Sequence, residues 1–260
     1  MNIKITMKHL FLLVFLLMTG GGMAYSQAIY KMYEKQEAKD SAYSKKEKKK
    51  NLKEYSKLIY DDAKEIFNER KDWAKSSEKK KKKKKKDLFA LRMMSYRQAR
   101  WKVMEGKTNL EEQCTNEIEM ALNYDDTFFP VNIEGQAKSI AKTYDIALEK
   151  AQLLARENLV RTIQHEILMQ FAKADFVKIF GIEKSQVIVE AVLDTYDYLF
   201  ETLGQTETVM EFYNSSNHNS SEVWVRIFYS GNEARNDFKK AIQKTFSENQ
   251  ELLDWMIAFS

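Results

Sequence analysis

Ala147, Ala151, Ala155, Leu159, Ile163, Ile167 and Phe171 recur at four-residue steps, and a ladder of that length constrains the chain to one long helix with a continuously buried face. Tyr144, Leu148, Leu154, Val160 and Leu168 widen that face, so a helix is predicted over residues 143–172. Alanines through its first half allow the axis to approach a sheet closely, and the larger residues later fill the space that remains. Period-two segments supply the sheet. Residues 206–213 and 222–229 alternate on either side of a polar stretch at 214–221, which predicts an antiparallel hairpin with a polar loop. Residues 128–137 place Phe129, Val131, Ile133 and Gly135 on one face, with the only proline, Pro130, near the start, where a strand accepts it. Residues 101–104 read as a further short strand closed by Gly106. Helices are predicted at 110–122, 184–201, from 231 through Phe246, and at 252–257. Only 8 Gly and 1 Pro in 260 residues argue against loop-rich or all-β architecture. The expected fold over 87–260 is α+β, a small, mainly antiparallel sheet covered by the long Ala-rich helix.

The first 26 residues read as an export signal. Lys4 and Lys8 make a basic start, residues 10–18 are unbroken apolar, and Ala24-Tyr25-Ser26 forms a small-x-small cleavage site before Gln27. That apolar run falls well short of the roughly 20 residues that span a bilayer. Export to the periplasm or outer membrane is therefore expected, with no transmembrane span once the signal is removed. The single Cys, Cys114, is not at the cleavage position and leaves no internal disulfide framework. An exported fold of this kind must be held by packing alone.

Charge divides the remainder. Residues 31–86 carry 22 Lys and Arg against 11 Asp and Glu, whereas residues 87–260 carry 18 against 27. A basic arm over 27–86 thus joins an acidic domain, a division that favours contact between them or between copies. Within the arm, Leu52, Tyr55, Ile59, Ala63 and Ile66 form one helical stripe, with Trp73 two turns further on. The stripe predicts burial against the domain, or self-association in a coiled-coil-like pairing. Lys79, Lys80, Lys81, Lys82, Lys83, Lys84, Lys85 and Lys86 are consecutive. Like charges four apart oppose a helix, so the run is expected to be a hinge or linker, with a solvated helical extension as the other reading. It offers a polybasic surface for an anionic envelope component. No aromatic residue lies inside it to stack on bases, so no specific nucleic acid is expected.

A catalytic constellation is not evident. His165-Glu166 opens like a zinc-protease helix, but the position four after His165 is Met169 rather than a second His. With His9 in the signal, only His165 and His218 remain, too few for a three-histidine zinc site. No cofactor fingerprint and no metal site are expected. Asp125-Asp126 and the set Asp194, Asp197 and Glu201 are the acids available for carboxylate chemistry, which also needs an enclosing cleft and a raised pKa on one member. The expected function is non-enzymatic binding or assembly in the cell envelope. The alternatives are a secreted carboxylate-dependent hydrolase, built on Asp194, Asp197 and Glu201, and a polyanion-binding module.

Trp101-Lys102-Val103 with Leu110-Glu111, Glu134-Gly135-Gln136-Ala137-Lys138-Ser139, and Tyr144-Asp145 with Ala147, Leu153, Ala155 and Leu159 form a recognisable pattern. Ile163-Gln164, Glu166-Ile167, and Glu211-Phe212-Tyr213 before Val223-Trp224-Val225-Arg226 complete it. Over about residues 87–246 the chain resembles the uncharacterised secreted proteins of Bacteroidetes-type bacteria. That group is related to the twenty-kilodalton outer-membrane lipoproteins and to flagellar assembly proteins of the outer membrane. The resemblance implies an α+β domain with its sheet under the Ala-rich helix, and implies no catalytic residue. Its relatives often carry a lipidated Cys that this chain lacks.

Overall fold

In the computed structural model, which describes residues 63–217, 220–247 and 249–260, the alanine ladder is the buried face of a 30-residue helix, Tyr144–Lys173. In chain order the elements are α1 (63–75), α2 (Glu78–Gln98), α3 (Leu110–Ala121), β1 (Asn132–Ala141), α4 (Tyr144–Lys173) and α5 (Phe176–Asp194). They continue with α6 (Tyr196–Thr202), β2 (Glu207–Asn217), β3 (Ser220–Ser230), α7 (Gly231–Thr245) and α8 (Gln250–Phe259). All described residues belong to one compact unit. The expected signal, 1–26, and three stripe residues, Leu52, Tyr55 and Ile59, lie outside the described residues.

The fold is α+β, with an antiparallel three-stranded sheet of order β1-β3-β2. Ala147, Ala151, Ala155 and Leu159 of α4 are fully buried, and the helix lies on β1 and β3. The approach is closest at Gly135, where an added Cβ would stand 2.3 Å from the Ala155 carbonyl oxygen and 2.5 Å from the Leu159 Cβ. Glycine is needed there for lack of space, because helix backbone fills the volume that a methyl group would take. Thr143 caps the helix by accepting from the Ile146 N–H at 3.4 Å. On the same side α5, α7 and α8 close the core with Phe176, Val189, Val192, Phe238, Ile242 and Met256.

The opposite face of the sheet is also covered. Val223, Val225, Ile227 and Tyr229 of β3 belong to the α4 core, while Trp224 packs the other way with Met93 and Tyr96 of α2, Cys114 and Ile118 of α3, and Met210 and Phe212 of β2. Tyr96 meets Phe212 and Trp224 edge to face, at ring separations of 5.1 and 5.5 Å. A register shift between Thr208 and Met210 sets Met210 opposite Arg226 and Phe212 opposite Trp224, so both β2 side chains turn to this second layer. The α2–α3 hairpin and the α4 group thus sandwich the sheet.

Several expectations are corrected. Residues 101–104 do not form a strand; Lys102 makes a single bridge to Tyr213, because Gly106 and a turn follow too soon for a ladder to grow. The first strand starts at Asn132 rather than 128, since Phe128 has φ 64° and Pro130 is held in a bridge to Tyr124. The polar stretch 214–221 is largely strand, as β2 runs to Asn217 and β3 starts at Ser220. The helix predicted at 184–201 is two helices. The first starts at Phe176 and is broken at Gly181, where φ 74° and ψ 172° interrupt the helical geometry. The second is α6, beyond Thr195, whose hydroxyl donates to the Val192 carbonyl at 2.6 Å.

Gly135→Ala is expected to lower stability by about 1–3 kcal/mol, the cost of overpacking a close contact. The measurement is the midpoint of urea unfolding, with the slope unchanged; an unaltered midpoint would mean that α4 does not sit this close to β1.

Candidate interaction surface

The lysine run is helical. It occupies the first turns of α2, which runs unbroken into the packed segment ending at Gln98, so residues 79–86 are the helical extension rather than a hinge. The break falls earlier, at Ser76 and Ser77. Glu78 stands in the first turn, where a carboxylate is favoured by the helix dipole. The cost of adjacent lysines is offset by anchoring on the side facing the domain. Lys81 pairs with Glu78 at 3.2 Å, Lys85 pairs with Glu119 of α3, and the Lys84 ammonium lies 5.5 Å from the Trp73 ring centroid. Lys79, Lys80, Lys82, Lys83 and Lys86 are exposed and make no ion pair among the described residues.

What fixes the roll of α2 is a buried charge cluster at its C-terminal half. Glu117 of α3 is fully buried and pairs with two guanidiniums, Arg92 of α2 and Arg226 of β3, the latter at 2.7 Å. Arg226 also meets Glu134 of β1 at 3.1 Å. Burial, and then the neighbouring Arg226, push the Arg92 guanidinium below its ordinary value. Two positive and two negative side chains balance, and their geometry ties α2, α3, β1 and β3 together.

The described end of the basic arm is docked on this same body. Ala63, Phe67 and Trp73 of α1 are buried, with Ile66 partly so against the core. The Trp73 indole donates to the Leu122 carbonyl at 2.9 Å. Arg70 forms a two-pronged pair with Glu166 of α4, at 2.8 and 2.7 Å, and also donates to the Phe128 carbonyl at 3.2 Å. Of the stripe expected to mediate self-association, then, Ala63 and Ile66 are spent on the chain's own core, and the coiled-coil reading is corrected at those two positions. Burial opposes ionisation of Glu166, but the Arg70 guanidinium overrides it and holds the carboxyl below its ordinary range. The glutamate of the incomplete zinc-protease pattern is therefore committed to a structural pair.

The other candidate acids are placed as follows. Asp194, Asp197 and Glu201 are all exposed, around the joint between α5 and α6, so no cleft encloses them. Asp125 closes a turn, accepting from the Thr127 N–H at 2.8 Å, the Thr127 hydroxyl at 2.7 Å and the Phe129 N–H at 3.0 Å, and pairs with Arg235 at 2.9 Å. Burial works against its charge, yet these donors prevail and lower its pKa, the reverse of what a general acid needs. Among the described residues no group of three or more His, Cys, Asp and Glu is placed to hold a metal ion. Cys114 is a free thiol, fully buried in the second layer.

Beyond the lysines, α2 presents Leu91 and Met94 to solvent, 41% and 52% exposed. An open groove of about 550 Å³ runs beside them, lined by Lys86, Phe89, Ala90, Met93, Met94, Arg97 and Gln98. Leu88, Leu91, Tyr96 and Ala99 continue in helical spacing, but of these Tyr96 is buried while Leu91 turns outward beside Met94, out of phase with buried Arg92, Met93 and Tyr96. No helix among the described residues is long and apolar enough to cross a membrane.

Comparison with protein-family models, with curated proteins and with solved structures gives no match.

Two predictions follow from the ion pairs. Glu117→Gln is expected to destabilise the protein by about 3–5 kcal/mol, because two buried guanidiniums lose their shared partner; a shift below about 1 kcal/mol in urea unfolding would show that the cluster is not desolvated. Glu166, with its folded pKa depressed, contributes stability that is fully present above its unfolded value near 4.5 and lost as pH falls through the folded pKa. The stability gap between wild type and Glu166→Gln should therefore be constant from about pH 6 to 8 and close on acidification below 4.5. A gap independent of pH down to 3 would contradict the assignment.

Proposed function

We propose that this is an exported cell-envelope protein that acts by binding or assembly rather than by catalysis, and that its outward α2 face binds an anionic envelope component. The observation that carries the reading is the set of five lysines, Lys79, Lys80, Lys82, Lys83 and Lys86, exposed on one rigid helix and free of ion pairs among the described residues. Three further lysines of the same run serve to seat the helix, so the surface is held in place rather than trailing on a tether. Close to an anionic membrane each lysine contributes roughly 1 kcal/mol, and the attraction falls within a screening length of about 10 Å at 0.1 M salt. Export is supported by the basic start, the apolar run at 10–18 and the small-x-small site before Gln27. The resemblance to secreted envelope proteins points the same way and rests on the residues quoted for it.

Replacing Lys79, Lys80, Lys82, Lys83 and Lys86 by Gln, while keeping the three anchoring lysines, should move the protein from the envelope to the soluble fraction in low salt without lowering its melting temperature. Unchanged fractionation of that folded variant would refute the polybasic surface.

A further inference from the structure

We infer that the anionic component is the surface of a lipid bilayer, and that α2 lies on it with Leu91 and Met94 inserted at the boundary between headgroups and acyl chains. This deepens the envelope-binding reading and rests on it. The outward face of α2 has two parts in line. At 100° per residue, Lys79, Lys83, Ala90 and Met94 fall along one side of the helix, with Leu91 beside Met94 and Lys86 at the margin next to buried Met93, away from buried Arg92 and Tyr96. Charge comes first and apolar surface follows within two turns.

Each candidate partner class must satisfy both parts. A soluble polyanion offers complementary charge but nothing apolar for Leu91 and Met94 to enter. An anionic bilayer offers both at the required depth, since an interfacial helix buries its apolar residues about 5–10 Å while lysine stems lie along the surface and keep their ammonium groups at headgroup level. Polarity also selects the orientation. Residues 87–260 hold 27 acidic against 18 basic side chains, so an anionic surface repels the body and attracts only the cationic helix. Two acidic groups temper the face: Asp87 lies on it, and Arg97 at its end is paired with Glu111 at 2.7 Å. Lys79, Lys83 and Lys86, exposed on this side and without an ion pair among the described residues, outnumber them. The contact is peripheral, because none of the described helices can span a membrane.

The test uses the full exported chain with three probes: vesicles of 7:3 phosphatidylcholine and phosphatidylglycerol, vesicles of phosphatidylcholine alone, and soluble polyphosphate. Wild type should sediment with the anionic vesicles and not with the neutral ones. The double variant Leu91→Gln/Met94→Gln, both positions being exposed, should keep its melting temperature and its polyphosphate affinity but lose about tenfold in partition to anionic vesicles. The five-lysine Gln variant should lose both. If Leu91→Gln/Met94→Gln leaves vesicle partition unchanged while the lysine variant abolishes it, the bilayer inference falls and the envelope-binding reading stands. If wild type binds none of the anionic probes in low salt, both fall together.

Discussion

Arg226 is the point at which the two layers of this protein are joined. It is almost wholly buried, stands on the central strand β3, and shares Glu117 with Arg92 while reaching Glu134 on β1. Buried ion clusters of this kind add little net stability compared with apolar residues of the same volume, yet they penalise every arrangement that separates the partners. Rolling α2 by one residue, about 100°, would withdraw Arg92 from Glu117 and leave a buried carboxylate with one guanidinium fewer. The cluster therefore sets which face of α2 looks outward, and with it the side on which Lys79, Lys83, Leu91 and Met94 stand.

The alanine ladder and the hairpin are legible in the sequence because each carries a single period, four-residue steps from Ala147 to Phe171 and alternation over 206–213 and 222–229. The second layer is not, for a physical reason. Val223 to Tyr229 alternates in chemistry only weakly, with Trp224, Arg226 and Phe228 all able to be buried. A near-continuous run of that sort marks a strand covered on both faces, and arginine in it conceals the fact until Glu117 is seen to pair with it. The lysine run misleads in the opposite direction. Local repulsion argues for a break, but Glu78, Glu119 and Trp73 receive three of the eight lysines, and the packing of Met93 and Tyr96 anchors the helix beyond. Tertiary contacts override an intrinsic preference worth a few tenths of a kcal/mol per pair.

The charge division read along the chain turns out to be partly consumed inside the fold. Arg70 of the arm is paired with Glu166, and Lys85 with Glu119, so some of the basic excess is neutralised by the acidic body. Ala63, Phe67 and Trp73 contribute apolar burial to the same attachment. Opposite fields bring arm and body together, but the specific geometry comes from side chains that could be anticipated only as members of a stripe. Among the described residues of the arm, Lys64, Lys71 and Lys75 of α1 and Lys79, Lys80, Lys82, Lys83 and Lys86 of α2 are exposed outside these pairs.

The sheet edges give that leftover charge its significance. A three-stranded sheet has two edges, and each presents backbone groups to any passing strand. Here the β2 edge is met by residue 102, where Lys102 and Tyr213 exchange two hydrogen bonds of 2.9 Å. On β1 the Gln136 carbonyl accepts from the Asn158 amide of α4 at 2.9 Å, and exposed Lys138 sits above Trp224, its ammonium 4.3 Å from the ring centroid. A lysine on an edge strand resists pairing with another strand, because adding a neighbour would desolvate its charge. With both edges obstructed and the two sheet faces covered, strand addition is a poor route to assembly for this body. On the outward side of α2, by contrast, cationic and apolar side chains are exposed together, Lys83 beside Met94 in helical phase.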